Sequence, residues 1–353
     1  MTNHEKYMQR CLELAANGLG NVAPNPMVGA VLVKDGEIIG EGWHQQYGKT
    51  HAEVNAVNDF MNRSGNNAGM LSLASLYVNL EPCNHHGKQP PCAELLIRYR
   101  IPEVIIGCAD PNTKNKTSSI QALKDSGCRV IEGVLKEESE ELNRRFITNH
   151  IKHRPYIILK YAQSRDGFIA PGKDQEKNFW LTNEWSRKLV HKWRSEEPAI
   201  MIGTNTAQID NPLLTTRYWK GKNPVRIVTD RKLRLLKSLN IFNEEARTIV
   251  FNESKNQTEG SVEYVKINFG DSVNRMLKEL RGMEIQSIII EGGGTLLQSF
   301  IEKNLWDEAR VFTADKYLAG GIKAPVFPGN QISEDNIEGD VLSVFRNTSS
   351  GAL

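Results

Sequence analysis

The sequence lacks any long apolar run; no stretch approaches the about 18 consecutive residues that a membrane-spanning helix needs. It also lacks a strong excess of one charge. Its 44 basic residues face 42 acidic ones, which argues against a dedicated nucleic-acid binder with a basic stripe. Small phosphorylated ligands stay open, because they need only a few placed donors. Cysteine is scarce and odd in number: Cys11, Cys83, Cys92, Cys108 and Cys128. The polar start, Met1-Thr2-Asn3-His4-Glu5-Lys6, has no apolar signal core. Together these argue against a disulfide framework and set the cytoplasm as the expected location. Metal ligation or simple burial is the expected use of the thiols. Internal repeats and low-complexity tracts are missing too, so the halves are not copies of one unit.

What remains is an ordinary globular composition, 39% hydrophobic and 24% charged, over 353 residues, a comfortable length for two domains. The first half alternates helix and strand patterns. Helices are expected at Tyr7 to Asn17, Ala52 to Met61, Cys92 to Tyr99 and Ile120 to Ser126. Strands are expected at Ala74 to Leu80, Glu103 to Ala109 and Arg129 to Glu132. A hairpin is expected from Val28 to Lys34 and Glu37 to Glu41 around Asp35-Gly36. One charged helix is expected from Leu135 to about Ile147, and His153-Arg154-Pro155 then breaks the pattern. The boundary is placed near residue 150, giving domains over 1–150 and 151–353. The second half restarts with strands at Tyr156 to Ala162, Ala199 to Gly203, Val225 to Thr229, Thr248 to Phe251, Ser287 to Glu291 and Glu308 to Thr313. Helices such as Glu184 to Arg194 and Val273 to Glu279 fall between them. Both halves read as α/β. The last residues, Asn347 to Leu353, are expected to fray.

The most informative constellation is His51-Ala52-Glu53 followed by Pro82-Cys83 and Cys92. A zinc ion that catalyses hydrolysis takes three protein ligands and leaves one position for water. One imidazole and two thiolates supply three. Glu53, two residues after His51 at the start of a helix, can reach that water without binding the metal and carry protons to a leaving ammonia. Zinc deaminases share this pattern, with His-x-Glu and then Pro-Cys-x-x-Cys. Here eight residues, Asn84 to Pro91, separate the cysteines in place of two. Cys92 closes the site if that loop folds back and Cys92 opens the next helix. A closed four-ligand structural zinc site and plain buried cysteines are the competing readings. In the second half, Ser287-Ile288-Ile289-Ile290-Glu291-Gly292-Gly293-Gly294-Thr295-Leu296-Leu297 reads as strand, glycine turn and helix start, a place for phosphate. Taken alone, a triple glycine is more often a flexible turn.

The run Asn79-Leu80-Glu81-Pro82-Cys83-Asn84-His85-His86-Gly87-Lys88-Gln89-Pro90-Pro91-Cys92 resembles the long cysteine loop of the bifunctional deaminase–reductase family of riboflavin biosynthesis. So do Pro24-Asn25-Pro26-Met27-Val28-Gly29 and Gly42-Trp43-His44. In the second half, Leu159 to Gly167, Trp180-Leu181-Thr182, Arg194, Gly203 to Thr206 and Asp210 to Arg217 follow in that family's order. The resemblance implies a cytidine-deaminase-like three-layer α/β/α domain and then a dihydrofolate-reductase-like α/β domain. It implies zinc on His51, Cys83 and Cys92, Glu53 as proton carrier, and substrate contacts at Asn25, His44, His85 and Lys88. It implies NADPH contacts at Ala162, Trp180, Thr206, Asp210, Gly293, Gly294, Thr295, Leu296 and Leu297. Further substrate contacts are implied at Asn178, Arg194, Leu214, Arg217 and Glu291, with Asp210 also in a catalytic role. Arg194 and Arg217 are the expected phosphate ligands, because arginine forks bind phosphate at two points. Arg231 is the expected contact for the 2′-phosphate of NADPH.

The implied activity is zinc-dependent deamination of a phosphoribosylamino-diaminopyrimidinone, then NADPH-dependent reduction of the ribosyl chain to ribityl. Its partners would be that small phosphorylated pyrimidine and further copies of the chain, a dimer or tetramer, with no nucleic acid and no membrane. Two positions depart from the family: Asn178 stands where Ser is common, and Asn211 where Asp is common. A nucleic-acid base deaminase, a non-catalytic zinc module and a chain keeping one activity only are the rival readings.

Overall fold

The computed structural model describes residues 2–84, 90–112, 119–172 and 180–348. The chain divides into two compact units, Met1–Lys152 and His153–Ala352. In the first, α1 (Asn3–Ala16) leads into β1 (Gly29–Lys34) and β2 (Glu37–Trp43). Then come α2 (Ala52–Arg63), β3 (Ser75–Leu80), α3 (Cys92–Arg98), β4 (Glu103–Cys108), α4 (Ser119–Asp125), β5 (Arg129–Glu132), α5 (Lys136–Leu142) and α6 (Arg144–Ile151). The five strands form one sheet, ordered β2-β1-β3-β4-β5, antiparallel on the β2 side and parallel from β3 to β5. The β1–β2 turn has φ of 52° at Asp35 and 81° at Gly36, the positive pair a two-residue hairpin demands.

Strand side chains alternate between two buried faces. Ala30, Leu32, Leu76, Val78, Val104 and Ile106 pack with residues of α2, α3 and α4. Val31, Val33, Tyr77 and Ile105 pack on the other face with Tyr7, Met8 and Cys11 of α1. The result is the expected α/β/α sandwich. The close docking of α2 on β2 depends on missing side chains. A Cβ on Gly42 would lie 2.3 Å from Ala56 N and 2.5 Å from Ala52 O, and one on Gly40 2.5 Å from Ala56 O. Two glycines on one strand face and two alanines at i and i+4 on the helix let the backbones touch.

The expected helix from Leu135 to Ile147 is in fact two helices, α5 and α6, parted at Asn143. Asn143 turns its side chain inward, accepting from Met27 N–H at 2.8 Å and donating to Met27 O at 2.9 Å. A short polar side chain that finds such a partner competes with helix continuation.

The second unit runs β6 (Tyr156–Ser164), β7 (Phe168–Ala170), α7 (Glu184–Glu196), β8 (Ala199–Gly203), α8 (Thr204–Asp210), β9 (Val225–Thr229), β10 (Thr248–Asn252), β11 (Gln257–Glu259), β12 (Val262–Lys266), α9 (Ser272–Gly282), β13 (Ser287–Ile290), α10 (Gly294–Glu302), β14 (Glu308–Ala314), β15 (Ile322–Lys323), β16 (Asn330–Ile337) and β17 (Asp340–Arg346). Ten strands form a sheet in the order β11-β12-β10-β9-β8-β13-β6-β14-β17-β16. Seven of them, β12 to β14 along that order, are mutually parallel. Apolar residues of α9 and α10 cover one face and those of α7 the other. Such a sheet gathers its functional groups beyond the carboxyl ends of its strands. Arg154 fixes the first strand, gripping Asp307 with both terminal guanidinium nitrogens, while Asp307 accepts Ile157 N–H. Asn347 does not fray. It is buried and donates its side-chain amide to Trp306 O and its backbone N–H to Asp307 O, whereas 349–353 lie outside the described residues.

Gly42→Ala should destabilise the first unit by about 1–3 kcal/mol, the usual cost of forcing a methyl into a close-packed contact. Gly69→Ala, whose Cβ would meet nothing closer than 3.7 Å, should leave the melting temperature unchanged. Thermal melts of the two variants check this.

Candidate active site

His51 is the residue at which the chain enters α2, with extended φ and ψ of −75° and 166°. Asn55, one turn on, braces that entry. It accepts from Thr50 Oγ1 and donates to Trp43 O, and its backbone N–H donates to His51 O. Cys83 follows the end of β3, and Cys92 is the first residue of α3. Cys92 N–H donates to Cys83 Sγ at 3.3 Å and Ala93 N–H to Cys83 O, so the eight-residue insert returns Cys92 to its partner.

The two sulfurs lie 3.5 Å (Cys83) and 3.3 Å (Cys92) from His51 Nδ1, and the three donor atoms fall within 4.8 Å of one another. Bonds of about 2.3 Å to sulfur and about 2.0–2.1 Å to nitrogen at tetrahedral angles separate N and S by about 3.5 Å. The spacing and the donor set both fit a zinc ion with three protein ligands. Glu53, only 3% exposed, lies outside this three-donor group. Burial, and then the nearby Cys83 sulfur, push its carboxyl up. Cys83 is held down to about 4 by hydrogen bonding with Cys92 and His51, which outweighs burial, whereas Cys92, sharing that bond from the other side and buried, is pushed up.

The predicted contacts Asn25 and His44 come together beside this group. His44 Nδ1 sits 3.0 Å from Thr50 O and so carries the proton, which leaves Nε2 to accept from Asn25 Nδ2 at 3.0 Å. Burial pushes the imidazole down and so favours its neutral form, and its ring meets His51 edge to face at 5.5 Å. The Asn25 loop is pinned from below: Asn79 accepts Gly29 N–H and donates to Met27 O, beside the Asn143 clamp. The predicted His85, Lys88 and Asn178 lie outside the described residues.

In the second unit a charge cluster, its side chains 10–16% exposed, lies at the carboxyl end of β13 and beside the middle of β6. Arg194 Nη2 donates to Glu291 Oε2 at 2.7 Å, and Lys160 Nζ stands 3.9 Å from Glu291 Oε1. Burial opposes the Glu291 carboxylate, but the Arg194 and Lys160 charges more than offset it and hold the group at about 2. Burial pushes Lys160 down. Arg194 Nε and Glu291 Oε1 are buried without a hydrogen bond among the described residues, so the cluster offers one donor and one acceptor to a ligand. Arg194 spends its fork on Glu291 and Thr215 O, whereas Arg217 donates Nη1 to Thr215 Oγ1 and is otherwise exposed.

The predicted cofactor residues are partly gathered. Gly293 caps α10, and its N–H donates to Thr206 Oγ1 at 3.0 Å. Gly294, Thr295 and Leu296 form the first turn of that helix, and a Cβ on Gly292 would strike Leu296. Leu297 and Leu214 are core residues, and Ala162 packs against that core; Leu214 has a φ of 56°. The buried leucines leave only backbone to a ligand. Trp180 is 64% exposed beneath the Arg187 guanidinium, and Asp210 ends α8 exposed, without a hydrogen bond among the described residues. Arg231 is exposed and paired with Glu253.

Residues 1–108 match the family model for the cytidine and deoxycytidylate deaminase zinc-binding region, and residues 155–346 match the RibD C-terminal domain. The riboflavin biosynthesis protein RibD of Aquifex aeolicus is 39% identical over 324 residues, covering 90% of this chain and 88% of the relative. RibD of Escherichia coli is 32% identical over 89% of this chain and 88% of its own length. The chain belongs to the RibD family. A solved diaminohydroxyphosphoribosylaminopyrimidine deaminase/5-amino-6-(5-phosphoribosylamino)uracil reductase from Thermotoga maritima superposes with a TM-score of 0.87 at 37% identity, covering 98% of this chain and 99% of that one. As a RibD, the chain is a deaminase–reductase of riboflavin biosynthesis with a zinc-binding deaminase half. Among its described residues no helix is long and apolar enough to cross a membrane.

The local geometry accounts for one departure from the family, Asn211. Asn211 caps α8 in the left-handed region at φ 39° and clamps Asn240, accepting its backbone N–H on Oδ1 and its side-chain amide on the backbone carbonyl. Sequence reasoning missed Lys160, His191, Thr215, Asn79 and Asn143. Lys160 had a signal, a charge inside the apolar strand Ile157-Ile158-Leu159-Lys160-Tyr161.

Asn143→Ala leaves Met27 N–H buried without its acceptor, a loss of about 1–3 kcal/mol. Amide exchange at Met27 should speed up by one to two orders of magnitude, roughly the same energy expressed as a rate. Unchanged exchange would contradict the clamp.

Proposed function

We propose that the first unit hydrolytically deaminates 2,5-diamino-6-(5-phosphoribosylamino)pyrimidin-4-one, and that the second reduces the ribosyl chain of the product to ribityl with NADPH. One observation carries the first half: three donors spaced for zinc, with a buried carboxylate beside them that is not part of the ligand group. His51, Cys83 and Cys92 would hold the ion. Zinc, when bound, would bring the ionisation of a water toward neutral pH. Glu53 takes a proton from the attacking water and delivers it to the amino nitrogen as the C–N bond breaks and ammonia departs. Asn25, oriented by His44, reads the ring edge, and His85 and Lys88 come from the insert to the same substrate.

In the second half NADPH supplies the hydride. The Gly293 to Leu297 turn and Thr206 hold the cofactor's phosphates at the start of α10, with Trp180 and the Ala162 backbone lining its path. Glu291, held ionised by Arg194 and Lys160, accepts from the amino and ring N–H groups of the pyrimidine. Arg217, with donors to spare, grips the phosphate, and the Leu214 backbone and Asn178 complete the pocket. Asp210 relays a proton to the opening sugar. Arg231 meets the cofactor's 2′-phosphate once Glu253 yields.

Glu53→Gln tests the division of labour. It should abolish ammonia release while NADPH oxidation on supplied deaminated product stays at the wild-type rate. A variant that still deaminates would remove Glu53 from its role.

A further inference from the structure

Helix α7 touches the 214–218 loop at two points. Arg194 Nη1 donates to Thr215 O at 3.4 Å, and three residues earlier His191 Nδ1 accepts Arg217 N–H at 2.9 Å. The i, i+3 spacing puts both side chains on one helix face. His191 is 4% exposed, and its ring meets Tyr218 edge to face at 4.8 Å. An imidazole that accepts at Nδ1 carries its proton on Nε2 and is neutral. No step described above uses it.

We propose that His191 is a positioning residue, whose Nδ1 fixes the backbone of Arg217 and so aims that guanidinium at the substrate phosphate. The inference rests on the reading of Arg217 as the phosphate ligand. The Arg217 head group itself is weakly held. Its hydrogen bond goes to Thr215 Oγ1 at 3.1 Å, and it lies 6.0 Å from the Tyr218 ring. Its aim is therefore set at the backbone, and the buried anchor there is the imidazole. The charges facing His191 favour the accepting form. Burial, and then Arg194 and Arg217, hold the ring at about 4, against the weaker opposite pulls of Glu291 and the Thr215 backbone. A charged ring would have to donate at Nδ1, toward an N–H that also donates.

The full chain is assayed by NADPH oxidation with the deaminated phosphorylated pyrimidine and with its dephosphorylated counterpart. His191→Leu should raise KM for the phosphorylated substrate about tenfold, the worth of one buried hydrogen bond, with kcat within about twofold. The KM preference for the phosphorylated substrate should fall by the same factor. His191→Asn, whose Oδ1 can stand near the Nδ1 position, should restore most of it. His191→Leu added to Arg217→Ala should cost nothing further, because His191 acts only through the Arg217 guanidinium. Ammonia release should be unaffected throughout. An unchanged KM ratio in His191→Leu, or additive losses in the double variant, would overturn the inference. A wild-type enzyme indifferent to the phosphate would instead refute the reading of Arg217 and the inference with it. In the wild-type protein, ¹⁵N NMR should report a neutral Nε2–H tautomer for His191 at pH 6; a doubly protonated ring would overturn the proposal without any variant.

Discussion

A helix can lie on a strand only as near as the side chains between them allow, and the first unit depends on removing them. Gly40 and Gly42 on β2 face Ala52 and Ala56 on α2 with no room for a methyl group. That contact sets the depth of α2 and therefore where its first turn delivers His51 and Glu53. The other two donors arrive independently, from the end of β3 and the start of α3. Three separate pieces of backbone must agree for donor atoms to stand 3.3 and 3.5 Å apart. The half-buried amide of Asn55 and the buried amides of Asn79 and Asn143 serve that agreement, each tying a loop at the site to a neighbouring element. Buried polar groups that are fully paired rigidify what they connect.

The second unit works by charge and not by close approach. Lys160, Arg194 and Glu291 are largely drawn out of water around the carboxyl end of β13, and desolvating three charges is tolerable only as a mutually compensating set. Glu291 stays ionised because its two cations outweigh its burial. Among the described residues the cluster nevertheless leaves a donor on Arg194 and an acceptor on Glu291 without a hydrogen bond. A polar ligand with the complementary pattern gains most at such a place, since leaving those atoms unpaired is itself costly. The glycine turn before α10 presents backbone N–H groups at a helix start, a few residues after Glu291 in sequence.

The sequence carried the fold where its signals were local. Short apolar runs marked β1, β3 and β4, Asp35-Gly36 marked the hairpin, and the order of elements marked two α/β halves. It failed where structure comes from partners distant in the chain. Asn143 reads as one polar residue in a charged helix, and only the backbone of Met27 makes it a break. Strand β16, Asn-Gln-Ile-Ser-Glu-Asp-Asn-Ile, is almost wholly exposed and has no apolar period, and it exists because β17 pairs with it. The zinc-type donors were legible because their spacing is tied to their chemistry, even across the long insert. His191 and Thr215 were not, because a histidine in an amphipathic helix and a threonine in a loop are ordinary until the fold sets them against Arg217 and Arg194.

The claim on which the deaminase half stands is a metal held by one nitrogen and two sulfurs of the protein, with the remaining position left to solvent. Zinc K-edge absorption on the purified chain, with metal content determined on the same sample, measures this directly. The account predicts one zinc per chain, two sulfurs at about 2.3 Å and two lighter N/O neighbours at about 2.0–2.1 Å. A third sulfur, a second imidazole in the shell, or a chain that binds no zinc at all would contradict it.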